Sequence, residues 1–488
     1  MKFVSILLLG FFIFNTELPC FAGAFPWIAI NANDLKFTNQ VHTEAELRLW
    51  LIQRAQESIE IATYDHRADE EIGLPILHAL REAANRGVKV RFLRGALLSK
   101  LHGELSWNDT VKNTLLYPPT ATPIRFLLAG SLAMILKGWS PFSGAHEKLL
   151  IIDNHYLILT GRGHGKQYID WLDSCFLIKG KLVEQAKSAF NSLWEVVAAE
   201  HGGEGTPPQQ ENPRPPVIQL TPPLPIAQSD RGFNPELESL KAWLSSSDKV
   251  PADPTQIERP TYARLLHHDL LKQMREHCQG VPWIYNYTPC SSKIVDPISE
   301  EMTRLILRAQ SVKLYSLGTV FPLQIKQAIQ KRLLERATRG GRDFQIEIFT
   351  NGKIAHKAVL SYPMVWFVGL QDLNDLAHAG AQIYTFSPYK NGKLVFLHRK
   401  VAFFKMPDNE ESIAIFGSHN FSRASHFITD EMSVEVMNTP LVEQLWSFFN
   451  QDTEAYGTPI NLEEIRGEHT GWEAWGIRWF GGLIESGI

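Results

Sequence analysis

The chain has 488 residues, which is more than an ordinary single hydrophobic core and predicts two domains. Its 44% hydrophobic and 20% charged residues exclude a disordered or fibrous protein and are typical of a soluble globular one. The net charge of −4 excludes the strongly basic overall surface that usually accompanies nucleic-acid binding, so no nucleic-acid partner is expected, although a local basic cleft would suffice for one.

The N-terminus has the pattern of a secretory signal peptide. A basic second residue precedes an apolar run at residues 4–14, and Ala22-Gly23-Ala24 supplies small residues for cleavage. The apolar run is shorter than the roughly 20 residues that cross a bilayer, so residues 1–24 are predicted to be removed. The protein is then exported, to the periplasm or beyond. A disulfide between Cys278 and Cys290 is compatible with export and stays open.

Helices and strands alternate in the first half of the chain. Periodicity predicts helices at 44–55 and 76–84 and strands at 59–64, 88–93, 149–152 and 157–160. Helices between short strands indicate a mostly parallel sheet with helices on its faces. We therefore place a first domain at residues 25–202.

A change of composition separates the two halves. Residues 203–258 contain several proline pairs, which cannot continue a helix or a central strand, and are predicted to be a linker or surface loop. Residues 259–488 then repeat the order of the first domain, with strands at 284–286, 312–316 and 344–349 and helices at 300–309 and 325–336. In this second domain His267 and His268 are predicted to be solvated. The repetition predicts a duplicated fold.

The main chemical signal is a motif that occurs once in each half. His146-Glu147-Lys148 precedes Gly161-Arg162-Gly163-His164, and His398-Arg399-Lys400 precedes Gly417-Ser418-His419-Asn420. A His and a Lys two residues apart on a strand point to the same side. An imidazole beside an ammonium, present twice, predicts a phosphate site with two groups for nucleophilic attack or proton transfer. The sequence has no familiar spacing of metal ligands, so neither a metal nor a cofactor is expected.

These motifs resemble those of the phospholipase D superfamily, and in particular its cardiolipin-synthase-like branch. The resemblance covers roughly residues 36–200 and 280–450. It implies a duplicated α/β fold, with two mixed or mostly parallel sheets that are flanked by helices. It also implies a pseudo-twofold axis with the active site at the interface of the two halves, so that one monomer carries the whole site.

The resemblance also implies a role for each residue of the site. In the family one histidine forms a phosphohistidine and the other acts as acid and then base. We assign His146 as nucleophile and His398 as acid and base, and the reverse assignment is chemically nearly as good. By family position, Lys148 and Lys400 are expected to bind the phosphate through their charge, and Asn420 and Ser418 to act as neutral donors. Two carboxylates are expected to orient the histidines. Asp173 is assigned to His146, and Glu431 is assigned to His398.

The chain departs from the family pattern at two positions. His164 stands where the family usually has asparagine. We expect its imidazole to donate a hydrogen bond to the phosphate and its titration to make the activity depend on pH. Lys405 stands where the second motif would have its aspartate, and the first-half aspartate, Asp153, is predicted to be structural. The effect of both departures on activity stays open.

Three classes of function follow. The first is an exported, metal-independent enzyme that cleaves or transfers the phosphatidyl group of phospholipids at a membrane surface. The second is a phosphodiester nuclease of the same fold, and the third is a catalytically weak relative that binds lipid or a partner. Two motifs in one chain and the acidic net charge favour the first class. The acceptor, which is water, an alcohol or a second lipid, and the preferred headgroup stay open.

Overall fold

The computed structural model describes most of the chain between residues 24 and 461. The described ranges are 24–67, 69, 71–95, 114–117, 144–169, 171–200, 234–246, 261–277, 293–318, 320–339, 344–352, 364–386, 389–390, 393–394, 396–407, 410–422, 425 and 429–461. The strand predicted at 284–286, the pair Cys278 and Cys290, and all of the predicted signal peptide except Ala24 lie outside these ranges.

The first half forms a mixed sheet of seven strands with helices packed on it. In spatial order the strands are β2 (Leu35–Thr38), β10 (Cys175–Lys179), β8 (Tyr156–Thr160), β7 (Leu149–Ile152), β3 (Ser58–Thr63), β4 (Lys89–Gly95) and β5 (Thr114–Tyr117). The neighbours β3, β4 and β5 are parallel, and the other neighbouring strands are antiparallel. The helices are α1 (Val41–Arg54), α2 (Gly73–Asn85), α3 (Lys181–Glu200) and α4 (Pro235–Ser245).

The second half repeats this sheet in the same order. Its strands are β11 (Thr261–His268), β20 (Thr429–Met437), β19 (Ile413–Gly417), β18 (Val401–Lys405), β12 (Ser311–Tyr315), β13 (Gln345–Asn351) and β14 (Gln382–Phe386), with β1 (Ile28–Ile30) and β21 (Gly457–Pro459) added at the two edges. Here β12, β13 and β14 are the parallel neighbours. The helices are α5 (Leu270–His277), α6 (Pro297–Arg308), α7 (Leu323–Arg339), α8 (Met364–His378) and α9 (Thr439–Tyr456). The prediction of a duplicated α/β fold is confirmed.

Short strand pairs join the two halves. Strand β6 (Gly144–Ala145) of the first half pairs in parallel with β20 of the second. Strand β17 (Phe396–Leu397) of the second half pairs in parallel with β9 (Trp171–Leu172) of the first. A local hairpin, β15 (Tyr389–Lys390) and β16 (Lys393–Leu394), completes the described strands. Among the described helices, none combines the length and apolar composition that are needed to cross a bilayer.

One of the hydrophobic clusters of the described residues lies between the two sheets. Phe176 on β10 stacks on Phe416 on β19, with ring centroids 3.7 Å apart. Apolar residues of α3 and α9, such as Phe190 and Phe449, are fully buried in the same core. Each buried aromatic side chain removes a large apolar area from water, so the two halves are fixed face to face.

The structure revises the domain boundaries that the sequence predicts. Residues 28–30 belong to the sheet of the second half, where β1 covers the edge of β11, although they were assigned to the first domain. The predicted linker, 203–258, contains α4, which packs on the first half through buried Leu237, Leu240 and Leu244. The three- and four-residue spacing of these leucines gives α4 an apolar face, which the proline content of the preceding residues obscured.

Asp153 has the structural role that the sequence predicts. Its carboxylate accepts hydrogen bonds from the backbone N–H groups of residues 56–58, at 2.9, 2.7 and 2.9 Å. The residue also adopts the left-handed conformation, with φ of 50°. At the corresponding turn of the second half the Lys405 carbonyl accepts from the Gln310 N–H at 2.8 Å. A backbone carbonyl thus accepts one hydrogen bond at the turn where the carboxylate is missing.

We expect Asp153→Ala to lower the free energy of unfolding by about 1–3 kcal/mol, because three backbone donors lose their acceptor. Alanine also tolerates a positive φ less well than aspartate does. The matched control is Lys405→Ala, which loses only the placement of the ammonium over the Trp446 ring, 4.5 Å from its centroid, and should cost about 0.5–1 kcal/mol. Urea unfolding followed by circular dichroism measures both. Equal losses in the two variants would contradict the role of Asp153.

Candidate active site

The two His-x-Lys motifs lie at the start of corresponding strands. His146 and Lys148 immediately precede β7, and His398 and Lys400 immediately precede β18, whereas the sequence placed them within the strands. The alternation of side chains nevertheless holds, because the backbone is extended there. Lys148 Nζ donates to the carbonyl of His146 at 2.8 Å, and Lys400 Nζ donates to the carbonyl of His398 at 2.6 Å. The two motifs therefore have the same internal geometry.

The residue between His and Lys points away from the site in both motifs. Glu147 lies 2.7 Å from His267 Nε2, and Arg399 forms an ion pair with Asp452 of α9. Burial would lower the pKa of His267, but the Glu147 carboxylate raises that pKa to about 9. The prediction that His267 and His268 are solvated is wrong, since both are buried. The two intervening side chains anchor the motifs to the surrounding elements.

Each motif histidine is oriented by a carboxylate of the other half. His146 Nδ1 lies 2.9 Å from Glu431 Oε1, and His398 Nδ1 lies 2.6 Å from Asp173 Oδ2. The predicted pairing, with Asp173 on His146 and Glu431 on His398, is therefore wrong. The four residues are the ones that the sequence assigned to the site, but the partners are exchanged.

The exchange follows from the path of the backbone before each histidine. Because β6 pairs with β20, the His146 N–H donates to the carbonyl of Asp430 at 3.0 Å, next to Glu431. Because β17 pairs with β9, the His398 N–H donates to the carbonyl of Leu172 at 2.8 Å, next to Asp173. Each motif is thus hydrogen-bonded to the strand that carries the carboxylate of the opposite half.

Burial and the carboxylates set the protonation of the two imidazoles. Burial lowers the pKa of His146 to about 4 and that of His398 to about 3, although Glu431 and Asp173 oppose the change. Burial alone would raise the pKa of Asp173, but His398 and Lys400 lower it to about 2, and His146 likewise keeps the pKa of Glu431 far below its usual range. In the unliganded site both imidazoles are neutral at pH 7. When Nδ1–H donates to the carboxylate, the lone pair of Nε2 is left for nucleophilic attack or proton transfer.

The two lysines give the site a tendency to bind an anion. Burial lowers the pKa of Lys148 to about 7, and the nearby Lys400 ammonium adds to this effect. Burial also lowers the pKa of Lys400 to about 8. Two buried ammonium groups that repel each other are stabilised by a negative charge between them. A phosphate group fits this requirement.

Ser418 and Asn420 have different roles in the turn that follows β19. Ser418 is fully buried, and its hydroxyl donates to Glu431 Oε2 at 2.5 Å and accepts from the Met432 N–H at 3.0 Å. The prediction that Ser418 binds substrate is therefore wrong, because the buried hydroxyl gives its one proton to Glu431 and accepts from the backbone of Met432. Asn420 Oδ1 has no hydrogen-bond partner among the described residues. The role of Asn420 as a donor to the phosphate stays a prediction, and the two orientations of its carboxamide present either an oxygen or an N–H group at this position.

His164 is held by a histidine that the sequence analysis did not identify. Its Nδ1 lies 2.9 Å from the Nδ1 of His66, and the two rings are nearly perpendicular at 86°. Its backbone N–H also donates to the carbonyl of Asp65 at 2.9 Å. Burial holds the pKa of His164 well below its usual value, with a further contribution from Arg48. His164 is neutral at pH 7, and only its Nε2 remains for a substrate. The polar run Asp65-His66-Arg67 after an apolar strand was the available signal for His66.

Arg162 is a second residue that the sequence analysis missed. Its buried guanidinium donates to the carbonyl of Asp173 at 3.2 Å and to Glu44 Oε2 at 2.5 Å. Arg162 occupies the position in the first turn that Ser418 occupies in the second, and each holds the segment that carries an orienting carboxylate. The preceding glycine is required, since a Cβ at Gly161 would lie 2.4 Å from Asp173 Oδ1. Within the described ranges no group of three or more His, Cys, Asp or Glu side chains is arranged to hold a metal ion.

Comparisons with known proteins agree with this organisation. The family model described as "Cardiolipin synthase, PLD-like domain" matches residues 49–194 and 303–453, well over half of the chain and one stretch in each half. The crystal structure of phosphatidylserine synthase from Haemophilus influenzae Rd KW20 superposes with a TM-score of 0.59 at 12% identity, over 94% of this chain and 95% of that one. This likeness shows a shared fold.

Two curated relatives match a smaller part of the chain. They are uncharacterised proteins of Helicobacter pylori, from strains J99 and 26695, and each is 30% identical over 164 residues. Each match covers 30% of this chain and 30% of the length of the relative.

The lysine pKa values predict how anion binding depends on pH. Sulfate carries the same charge throughout the working range, so the pH dependence of its affinity comes from the protein, and first from the charge of Lys148 and Lys400. This charge is present below about pH 7 and is lost as the pH rises through about 7 and 8. We expect the affinity for sulfate to fall by up to about tenfold per pH unit for each lysine that must gain a proton on binding. Isothermal titration calorimetry at several pH values measures this.

The control for this experiment is Lys148→Arg, because a guanidinium keeps its charge at every pH used. Its decline should begin at higher pH than in the wild type. An affinity for sulfate that stays constant from pH 6 to pH 9 in the wild type would contradict the prediction.

Proposed function

Because the chain belongs to the family of cardiolipin synthase, PLD-like domains, we propose that it is a phospholipase D-type enzyme that cleaves or transfers the phosphatidyl group of a phospholipid. The observation that carries this proposal is the pair of imidazole–carboxylate contacts, His146 with Glu431 and His398 with Asp173, at the interface of the two halves. Reaction at a phosphodiester needs a nucleophile, a proton for the leaving alcohol and positive charge on the phosphate. The site contains a candidate for each.

The first step of the proposed reaction forms a phosphohistidine. His146 Nε2 attacks phosphorus, the bond from phosphorus to the headgroup oxygen breaks, and His398 gives a proton to that oxygen. The free imidazole of His398 is neutral at pH 7, so the reaction needs proton uptake. The negative charge of the bound phosphodiester raises the pKa of His398 and favours this uptake. Lys148 and Lys400 hold the non-bridging oxygens.

The second step frees His146 and leaves His398 protonated, and the starting state returns when the product leaves and His398 releases the proton that it took up with the substrate. His398, now neutral, takes a proton from water or an alcohol, whose oxygen attacks phosphorus and releases His146. Water yields phosphatidic acid, and an alcohol or second lipid yields a new phosphatidyl ester. Because the same intermediate serves each acceptor, the proposal includes hydrolysis and transfer.

The setting in which the enzyme works is also part of the proposal. The signal-peptide pattern of residues 1–24 supports export, and a lipid substrate requires contact with a phospholipid membrane surface. We therefore propose an exported, peripheral monomer that carries both motifs. A nuclease of the same fold would use the same phosphodiester chemistry, so the test includes a nucleic-acid substrate.

We expect the purified protein to convert mixed phospholipid vesicles with added ethanol to phosphatidic acid or phosphatidylethanol, as detected by mass spectrometry. His146→Ala and His398→Ala should each abolish this turnover, because each removes one of the two reacting groups. His378→Ala removes an exposed histidine of α8 and should leave the rate unchanged. Cleavage of single-stranded DNA but of no lipid would replace the proposal by the nuclease function.

The same assay distinguishes the proposed mechanism from a metal-dependent one. Turnover should persist in EDTA, and rapid alkaline quenching, which preserves the P–N bond of a phosphohistidine, should trap a phosphoryl label from the lipid on the peptide that contains His146. A label on His398 would reverse the two roles. Activity that is lost in EDTA and restored by zinc would contradict the phosphohistidine mechanism.

The contact between His164 and His66 refines what is expected of the first turn. His164→Asn restores the residue that the family usually has and should preserve or raise turnover. His164→Ala should lower turnover by roughly 10–100-fold, as is typical for the loss of one donor to the transition state. Because burial keeps the pKa of His164 low, the pH dependence initially expected from its titration should be absent between pH 5 and 8. Rates measured across this range test both points. Equal rates for His164→Ala and the wild type would show that His164 only fills space.

A further inference from the structure

Asn351, at the carboxyl end of β13, forms three hydrogen bonds with backbone groups. Its Nδ2 donates to the carbonyl of Leu397 at 2.7 Å and to that of Leu317 at 3.0 Å. Its Oδ1 accepts from the N–H of Leu397 at 2.7 Å. Asn351 is fully buried, so none of these bonds competes with water. One carboxamide therefore holds both backbone groups of Leu397.

Leu397 is the residue immediately before His398. On its other side, the His398 N–H donates to the carbonyl of Leu172 at 2.8 Å, and His398 Nδ1 reaches Asp173. The backbone on which the imidazole is mounted is thus fixed by Asn351 from its own half and by β9 from the other. Loss of either restraint would let the ring move relative to the phosphate.

In the described part of the first half, the position that corresponds to Asn351 carries no side chain that could form these bonds. The strand registers place Gly95, the last residue of β4, at the position that corresponds to Asn351. A side chain has no room there, since a Cβ on Gly95 would lie 2.5 Å from the carbonyl oxygen of Tyr64. The backbone of the first half thus leaves no room for an asparagine at this position. The surroundings of His398 and His146 therefore differ here.

We infer that Asn351 is a positioning residue that holds His398 in place as the acid that protonates the leaving alcohol. The inference rests on the proposed function and on the assignment of His398 as acid. Proton transfer from Nε2 to an oxygen depends steeply on the placement of the donor, and a misplacement of about 1 Å can cost about 100-fold in rate. A leaving group that departs without a proton should be insensitive to that placement.

The test compares two lipids that differ only in the leaving group. Phosphatidylethanol releases an alkoxide and needs the acid, whereas phosphatidyl-p-nitrophenol releases a stable phenolate. His398 acts as base in the second step with either lipid, so the rates compared are those of leaving-group release in the first turnover. In Asn351→Ala we expect this rate to fall by up to about 100-fold with phosphatidylethanol and to stay near that of the wild type with phosphatidyl-p-nitrophenol. Because the ratio of the two rates is taken on one preparation, a loss of folded protein cancels. Asn351→Ser, which provides one hydroxyl in place of the carboxamide, replaces Asn351→Ala if the latter does not fold.

The matched control is Asn438→Ala. Asn438 is also a buried asparagine with backbone and side-chain hydrogen bonds, to the Leu441 N–H and the Thr261 hydroxyl. Asn438 comes directly after β20 and seven residues after Glu431. Along an extended strand this separation is about 23 Å, so Asn438 lies far from the site. We expect its ratio of rates to equal that of the wild type. An unchanged ratio in both Asn351 variants, or a phosphatidyl label on His398, would overturn the inference.

A second readout does not depend on turnover. The imidazole ¹H–¹⁵N signals of His398, assigned by their loss in His398→Asn, should shift in Asn351→Ala and stay in place in Asn438→Ala. Signals that do not move in the Asn351 variant would overturn the inference as well. A wild-type protein that cleaves neither lipid would instead refute the proposed function, and the spectra would still decide whether Asn351 positions His398.

Discussion

The exchange of carboxylates between the two halves is the contact on which the rest of the site depends. His146 is oriented by Glu431 and His398 by Asp173, and both contacts cross the interface. They form only if the halves are held in one relative position. The aromatic core around Phe176 and the short parallel strand pairs hold them there, so the packing of the fold serves the geometry of the site directly.

Buried charge explains why this arrangement is suited to an anion. Two ammonium groups and two carboxylates are enclosed together, and ion pairs of this kind stabilise a fold little, because each charge loses its hydration. The pKa values of Lys148 and Lys400 are lowered because the buried ammonium groups lose their hydration. A bound phosphodiester adds one negative charge between the lysines, which relieves their repulsion and draws a proton toward an imidazole. In the proposed reaction, binding of the phosphodiester and protonation of His398 are therefore coupled.

Local patterns predicted the regular elements, and long-range contacts decided what the sequence could not show. The apolar run Leu149–Ile152 is a strand with the predicted bounds, because its buried side chains are contiguous in sequence. The pairing of Asp173 with His398 depends on how β17 crosses to the other half, and no spacing along the chain records that path. Ser418 was misassigned for a similar reason, since its hydroxyl is satisfied by residues 13 and 14 positions away. Asn351 left no local signal at all.

The crossed contacts also bear on how such a chain can diverge. In a symmetric dimer of single-motif chains, every substitution appears on both sides of the axis and must suit both sites at once. A fused chain with crossed contacts is free of this restriction, yet neither half can lose its carboxylate without disabling the histidine of the other. Two differences between the halves are of this kind. The second half has Asn351 where the first has Gly95, and it has Ser418 where the first has Arg162. Because each histidine needs the carboxylate of the other half, the two halves cannot separate. Because the halves are joined in one chain, each histidine can acquire surroundings of its own, and the two can take different roles.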